Sequence, residues 1–586
     1  MPLPKADTES PPIEEAYTGP RSSGSVGTAD KGARASTAAL LRNPLAGLTP
    51  DELIAEADRF TELKGLQEHQ EIFRKGAMVA QVVNKPDGFE SIIALNDEEK
   101  AVLRKEVTHR WSQPKSLYFL CALCAGSAIV QGMDQTAVNG AQEFYYNTFN
   151  IQDDAAMQGL INGAPYLCSA LIGCWSSPLL NKYTGRRGTI FISCFFSVVT
   201  GFWMAAADTW YNLLIARFVL GFAVGAKSST TPVYSAESTP KTIRGALTMM
   251  WQVYFCPESP RWYMEKGKYQ KAFQSNLKLR NHPIQAARDM FYAYKLLEIE
   301  AQAQSGRNWK DFFTVRRNRR AAMASYFVMF MQQFCGSMYY STAIFTASGF
   351  EKSTALLVSM GMGLINWVFA LPAFYTIDTF GRRNLLLVTF PLMSICLFFT
   401  GFSFYIPEGT ARLACIVTGI YLFAAVYSPG AGPVPFTYSA EAFPLHIRDI
   451  GMSSATAVLW GFNFIISFTW PSLIESWGET GAFMWYACWN IFGFVVAYFW
   501  LPETKNLTLE ELDSVFSVRS KDHAEYYTSK LPWYANKYLL RRDVEPFPAL
   551  YELAEDHHRQ TDGAHKTNVH HNEAGPLSGV SGEKQT

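Results

Sequence analysis

Eight stretches of this chain carry no charged residue: 155–181, 188–207, 321–350, 353–377, 384–407, 413–440, 450–474 and 480–502. A hydrocarbon layer about 30 Å thick is crossed by roughly 20 residues of helix, and each stretch is long enough. Two further stretches come close: 117–138, uncharged until Asp134, and 209–230, interrupted by Arg217 and Lys227. Buried helices of a soluble protein are the alternative, but ten of them would have to lack the polar stripe that a surface helix shows. The expected class is therefore all-α, a polytopic membrane protein of ten spans.

The charges lie between the spans, and they alternate. Lys182, Arg186 and Arg187 follow the second span, Lys241 and Arg244 the fourth, and Arg316, Arg317, Arg319 and Arg320 precede the fifth. Arg382 and Arg383 follow the sixth and Arg448 the eighth, while the opposite loops hold few basic residues, Arg412 among them. Basic loops stay on the cytoplasmic side, so both termini are expected there. The first 25 residues hold Pro, Glu and Ser where a leader would be apolar, leaving the first span as the targeting signal. With 51 basic and 51 acidic residues the net charge is zero, which argues against a nucleic-acid partner. The ten cysteines fall mostly inside spans, as Cys168, Cys174 and Cys194 do, and read as small packing residues, not as a disulfide framework.

Residues 1–44, rich in Ser, Gly, Pro and Ala, are expected to be disordered, and 45–112 to form a cytosolic helical extension. Thr49-Pro50 with Glu52, and Asn96 with Glu99, have the form of helix caps. A cytosolic tail spans 504–586. Its His557, His558, His570 and His571 come without Cys or patterned acids, so a solvated tail is expected and no metal or cofactor is assigned.

The chain repeats itself. Pro232-Val-Tyr-Ser-Ala-Glu237 with Ile243-Arg244 returns as Val434-Pro-Phe-Thr-Tyr-Ser-Ala-Glu441 with Ile447-Arg448, and Gly185-Arg-Arg187 returns as Gly381-Arg-Arg383. The repeat implies two pseudo-symmetric halves: a first bundle, 113–252, a cytoplasmic linker, 253–320, and a second bundle, 321–503. The halves are unequal. From Arg448 to Pro502 is 54 positions, but from Arg244 to Pro257 only 13, and the difference of 41 is two short membrane helices. The first half holds four spans and the start of a fifth where the second holds six.

These motifs resemble the sugar porter family of the major facilitator superfamily, and Gln131-Gly-Met-Asp-Gln-Thr-Ala-Val-Asn-Gly140 is most similar to fungal myo-inositol transporter-like members. The resemblance runs over roughly 110–520 and includes Arg217-Phe-Val-Leu-Gly221, Pro257-Glu-Ser-Pro-Arg-Trp262, Gln332-Gln333, Ile377-Asp378, Gly432-Pro-Val-Pro435 and Pro502-Glu-Thr-Lys505. It implies a major facilitator fold of two bundles with a polar site between them and alternating access, here with ten spans instead of twelve. Three departures stand out. The sixth helix and the fifth after Gln252 are missing. Gly336-Ser-Met runs directly into Tyr339-Tyr340, three residues short and without the family's sugar-binding Asn, which rotates the remainder of that helix by about 300°. Asn181 or Lys182 stands where the first half should carry an acid. The two gaps inside membrane helices fit a displaced splice pattern better than an evolved design.

By resemblance, Asp134 and Arg217 form the proton-coupling pair, Asp134 as carrier. A nearby arginine favours the carboxylate and burial the acid, so a bundle that opens to alternate sides can switch between them; the plain alternative is a static buried pair. A polyol or sugar needs amides that donate and accept together with an aromatic platform. The resemblance assigns these to Gln252, Gln332, Gln333, Tyr339, Tyr340, Phe436 and Asn463, while a lone Gln reads equally well as an interhelical tie. Arg186, Arg187, Glu237, Arg244, Asp378, Arg382, Arg383, Glu441 and Arg448 sit at cytoplasmic helix ends. They are either topology signals or, as resemblance implies, a latch between the bundles. Arg261 and Trp262 open the linker, whose stretch 263–300 reads as short helices on the bundle. The expected protein is a monomeric plasma-membrane transporter of a polyol such as myo-inositol, or a hexose, moved with protons. A nutrient sensor of the same fold and a defective product of the locus are the rivals; no metal cluster, phosphate loop or nucleophile points to an enzyme.

Overall fold

The computed structural model describes residues 48–83, 87–109, 112–117, 145–152, 154–239, 258–303, 308–336, 351–444, 447–505 and 511–542, with positions 45, 141, 345 and 547. Every described element is helical. Among the described residues six helices are long and apolar enough to cross a membrane, or seven if Thr354–Ala370 and Ala373–Thr379, bent by 43°, count as one span. The span read at 117–138 lies almost wholly outside the described residues, and the other nine are helical over most of their described parts, with breaks at 371–372 and 428–433 among them.

Three amphipathic helices come first: α1 (Pro50–Leu63), α2 (Gln70–Gln81) and α3 (Asp97–Thr108). Both expected caps form. The Glu52 amide donates to Thr49 Oγ1 at 3.4 Å while Thr49 N–H reaches Glu52 Oε2 at 2.8 Å, and Asn96 and Glu99 exchange the same pair of bonds at 2.9 and 3.0 Å. Each satisfies two backbone donors that a helix start leaves orphaned.

The first bundle contains α4 (Ala155–Cys168), α5 (Cys174–Ala205) and α6 (Trp210–Ser238). A π turn, Ser169–Gly173, joins α4 to α5, and α5 breaks at Gly185, whose φ of 80° suits a residue without Cβ. A Cβ on Gly173 would lie 2.8 Å from the Gly221 carbonyl, so α6 passes there at a distance only glycine allows.

The linker folds into α7 (Pro260–Glu265), α8 (Tyr269–Leu279), α9 (Pro283–Ala303) and α10 (Asn308–Thr314). The apolar faces of α1 and α2 need cover, and α8 and α9 supply it. Phe60, Phe73, Phe273 and Phe291 form a shared core, with Phe60 and Phe291 centroids 5.7 Å apart. At its edge Arg288 grips Glu106 of α3 through two bonds of 3.0 and 2.9 Å. The extension is thus packed on the linker.

The second bundle contains α11 (Arg316–Phe334), α12 (Lys352–Ala370), α13 (Ala373–Thr379), α14 (Arg382–Ser403), α15 (Thr410–Tyr427), α16 (Val434–Ala442) and α17 (Arg448–Trp500), the last broken at Gly478. The tail expected to be solvated starts with two more helices, α18 (Glu511–Ser517) and α19 (Ser520–Tyr534). The second docks on the end of α17: His523 Nδ1 lies 2.8 Å from the Phe499 carbonyl, and the Arg383 guanidinium sits 3.9 Å over the Tyr527 ring. His557, His558, His570 and His571 lie outside the described residues.

One face of α17 runs antiparallel along the first bundle. From the charged end onward, Asp449 faces Asn181 at 3.5 Å, Ser453 faces Ser177 at 2.7 Å, and Trp460 stacks on Tyr166 with centroids 5.5 Å apart and planes 3° apart. Further along, Phe464 and Phe468 fill the spaces above Gly163 and Gly159, where a Cβ on Gly163 would meet the Phe464 ring at 2.7 Å.

Candidate functional site

Arg217 is buried in the first bundle, and its position is explained by a proline. Pro165 has no N–H, so the Ile161 carbonyl four residues earlier loses its partner within α4. Arg217 Nε supplies a bond at 2.7 Å, and Nη2 reaches the Asn162 carbonyl at 3.1 Å. The Asn162 side chain in turn accepts from the Tyr145 hydroxyl and donates to the Tyr146 hydroxyl, both at 2.6 Å. Asp134 lies outside the described residues. Tyr145, Tyr146 and Asn162 were not singled out from the sequence; an adjacent tyrosine pair ahead of a span was the only sign.

The second polar site lies where two helices break. Between α15 and α16 the chain runs Ser428-Pro-Gly-Ala-Gly432-Pro433, and Gln332 of α11 donates to the Gly432 carbonyl at 2.7 Å. The side-chain oxygens of Gln332 and of the adjacent, buried Gln333 have no hydrogen-bond partner among the described residues. Such an orphaned acceptor costs about 1–3 kcal/mol unless something donates to it. Phe436 follows on α16, packed against the core, and Asn463 is fully buried on α17 with Ser467 donating to it at 3.4 Å. Trp460, one turn before Asn463, is buried with its indole N–H also unpartnered among the described residues. It too was missed. Gln252, Tyr339 and Tyr340 lie outside the described residues.

At the charged end the two halves build the same device twice. Gly185 and Gly381 take φ of 80° and 104°, and Glu258 and Glu503 fill the space where a Cβ would stand. Each carboxylate accepts the next helix's exposed backbone donors: Arg187 N–H to Glu258 at 3.1 Å, Arg383 N–H to Glu503 at 3.1 Å. Negative charge suits a helix start. Glu237 and Glu441 then take the arginines, Arg186 at 3.0 Å and Arg382 at 2.8 Å, and each also accepts from a hydroxyl, Ser259 at 2.6 Å and Thr504 at 3.1 Å.

The copies differ around their arginines. Arg382 has Asp378 at 3.0 Å from its own bundle. Arg186 has Asp449 of the other bundle at 3.5 Å and Glu265 of the linker at 3.7 Å. Burial, with Glu237 and Asp449 close by, pushes the Glu265 carboxyl up to about 7 despite Arg186. Arg383 pins helix ends, donating to the Ala497 and Tyr498 carbonyls at 3.2 and 2.7 Å, and Arg448 is buried with Nε on the Phe443 carbonyl at 3.2 Å. Arg244 lies outside the described residues. Glu258, Ser259, Glu503, Thr504, Glu265 and Asp449 join this cluster without having been assigned a role from the sequence.

Comparison with known proteins shows the family. The family profile described as "Sugar (and other) transporter" matches residues 120–255 and 252–516, in two segments that meet at 252–255. Myo-inositol transporter 2 of Schizosaccharomyces pombe is 26% identical over 456 residues, covering 68% of this chain and 81% of the relative. The galactose-proton symporter of Escherichia coli K12 is 26% identical over 442 residues, covering 68% and 93%. Those 442 positions take in 68% of 586 residues, about 398, which leaves about 44 positions of that relative facing gaps in this chain. Among solved structures, the proton:xylose symporter XylE bound to 6-bromo-6-deoxy-D-glucose superposes with a TM-score of 0.60 at 22% identity, over 69% of this chain and 98% of that one. That likeness is one of fold, the two-bundle architecture of the major facilitator superfamily, and both fold and relatives are those of transporters and not of enzymes. The chain belongs to the sugar transporter family of that superfamily and is a multi-pass membrane protein.

Proposed function

We propose that this chain is a proton-coupled importer of a polyol, myo-inositol first among them, or of a hexose, working as a monomer in the plasma membrane with both termini in the cytoplasm. The observation that carries the reading is the pair of buried carboxamide oxygens of Gln332 and Gln333, without a hydrogen-bond partner among the described residues, beside the broken turn at Gly432. A ligand dense in hydroxyls donates to such acceptors, whereas an apolar or anionic ligand does not. Phe436, Asn463, Gln252, Tyr339 and Tyr340 complete the site in this reading. The relatives' names support the substrate class: three are myo-inositol transporters and others couple galactose or arabinose to protons. Asp134 carries the proton, and Arg217 sets its charge. The paired clusters around Arg186 and Arg382 latch the cytoplasmic side while the opposite side exchanges substrate.

Binding by the purified full chain tests the site. Myo-inositol or a hexose should bind, and Gln333→Leu should weaken binding about tenfold or more, as loss of a buried hydrogen bond with its partner left unpaired does. No binding of any polyol or sugar would overturn the reading.

A second reading has one observation in its favour. The profile match breaks at 252–255, inside the window where the repeat is 41 residues short. A chain made without those residues is a transport-inactive sensor or a defective product. Sequencing the transcript across the codons for 244–262 and 330–342 decides: added residues there restore a complete transporter, and a message matching the chain favours the inactive readings.

A further inference from the structure

The two Gly-Arg-Arg motifs differ in one charge. Three residues before Gly381 stands Asp378, whose carboxylate lies 3.0 Å from Arg382 of its own bundle. Three residues before Gly185 stands Lys182, exposed and lying 6.0 Å from the Tyr183 ring centroid, so the first motif has a cation where the second has an acid. Arg186 is nevertheless buried, its side chain 4% exposed, and a buried guanidinium needs more than one acceptor. Asp449 meets that need from the first turn of α17, with Oδ2 at 3.5 Å from Arg186 Nη2. The repeat aligns Ile447-Arg448-Asp449 with Ile243-Arg244-Gly245, so the acid occurs at this place in the second half only.

The surroundings hold Asp449 in position. Asn181, next to Lys182, offers its amide to Asp449 Oδ1 at 3.5 Å, and Asn181 is itself fixed by Thr230 Oγ1 at 3.2 Å and by the Trp262 indole on its carbonyl at 2.9 Å. One turn along, Ser453 bonds the Asp449 carbonyl at 2.6 Å and touches Ser177. Asp449–Ser453 on α17 and Asn181–Ser177 on α5 thus form a matched antiparallel pair of contacts between the bundles.

We propose that Asp449 is the acid the first Gly-Arg-Arg motif lacks, supplied across the seam from the second bundle, so that closure of the charged end depends on the Arg186–Asp449 ion pair. The proposal rests on the reading of this cluster as a latch. On opening, Arg382 keeps Asp378 and Glu441, which share its bundle, whereas Arg186 keeps Glu237 and loses Asp449. The latch is therefore one-sided. Asp449 acts as a positioning residue, through Arg186 and not through the substrate.

The test uses the full chain in proteoliposomes with Ser177→Cys and Ser453→Cys together, whose oxidative cross-linking rate reports closure; each single substitution is the control for the native cysteines. Asp449→Asn should lower the rate about fivefold or more, the low end of a typical coupling between two states. Adding Lys182→Asp to Asp449→Asn should not restore it, because an acid there pairs Arg186 within its own bundle and ties nothing across the seam, whereas an aspartate that merely compensates the Arg186 charge would be replaced by it. Asp449→Glu, which keeps the charge if the Asn variant does not fold, should retain cross-linking. Unchanged cross-linking in Asp449→Asn, or a loss that Lys182→Asp reverses, or an equal loss in Asp449→Glu, overturns the proposal. Glu237→Gln separates the two levels: if it lowers the rate while Asp449→Asn does not, the latch stands and the role of Asp449 falls; if neither moves it, the latch reading falls as well.

Discussion

The hydroxyls of Ser177 and Ser453 lie 2.7 Å apart across the seam between the two bundles. Serines at helix faces allow such close contact because they are small and satisfy one another or a carbonyl in their own helix; Ser177 also donates to Cys174 at 3.0 Å. With the Asp449–Asn181 contact one turn away and Tyr166 on Trp460 beyond, the contact makes the charged end a closed end in this structure.

Gly185 and Gly381 are expected to tolerate no side chain. Their φ values of 80° and 104° disfavour other residues, and a Cβ would run into Glu258 or Glu503. Gly381→Ala should cost about 1–3 kcal/mol and lower the thermal midpoint of the detergent-solubilised protein by several degrees. A midpoint equal to the parent's would show that the turn relaxes freely.

Arg217 and Asp134 should separate coupling from passage. Asp134→Asn and Arg217→Gln are each expected to abolish accumulation driven by a proton gradient while exchange of labelled for unlabelled substrate continues. Unchanged accumulation in Asp134→Asn removes it as the proton carrier. For Arg217→Gln a wider effect is expected as well, because the Ile161 and Asn162 carbonyls lose their donor.

The extension should come loose from the linker when its charged grip is cut. Glu106 and Arg288 are both largely buried, and Arg288 also pairs with Asp289 at 2.9 Å, so removing Glu106 cuts the grip on α3 without leaving the guanidinium unpaired, at about 1–3 kcal/mol for the lost bonds. Glu106→Ala in the full chain should expose 50–108 to protease under conditions where the parent is protected.

Docking of α19 should depend on pH. Burial holds the His523 imidazole neutral and pulls its pKa from 6.5 to about 4, with the Phe499 carbonyl opposing weakly. Because the docked value is depressed, docking is at full strength above pH 6.5 and weakens as pH falls toward 4, by on the order of 3 kcal/mol in total. A spin label on Ser529→Cys should gain mobility over that window, and adding His523→Asn should make the mobility independent of pH.

The spans, both helix caps and the doubled Gly-Arg-Arg and Glu-to-Arg motifs were legible because each is a local pattern: a charge-free run, a cap three residues from its acid, a spacing of seven. What was not legible depends on contacts far apart in the chain. That Arg186 takes an acid from 263 residues away is invisible in either motif, since Lys182 shows only that an acid is missing. The stack of Trp460 on Tyr166, the use of Ile161 as an acceptor for Arg217 and the packing of the extension on the linker were hidden for the same reason. The amphipathic faces of α1 and α2 declared that a partner exists without saying which. In the tail, Tyr526, Tyr527 and Trp533 lie among charges that masked a docked helix as a solvated one.

Accumulation by the full chain in proteoliposomes with an imposed proton gradient bears most directly on the transport role. Labelled myo-inositol, or failing that galactose or xylose, should concentrate inside when the outside is acid and leak back when a protonophore collapses the gradient. Equilibration without concentration would contradict proton coupling, and no entry of any polyol or sugar would contradict transport by the chain as it stands.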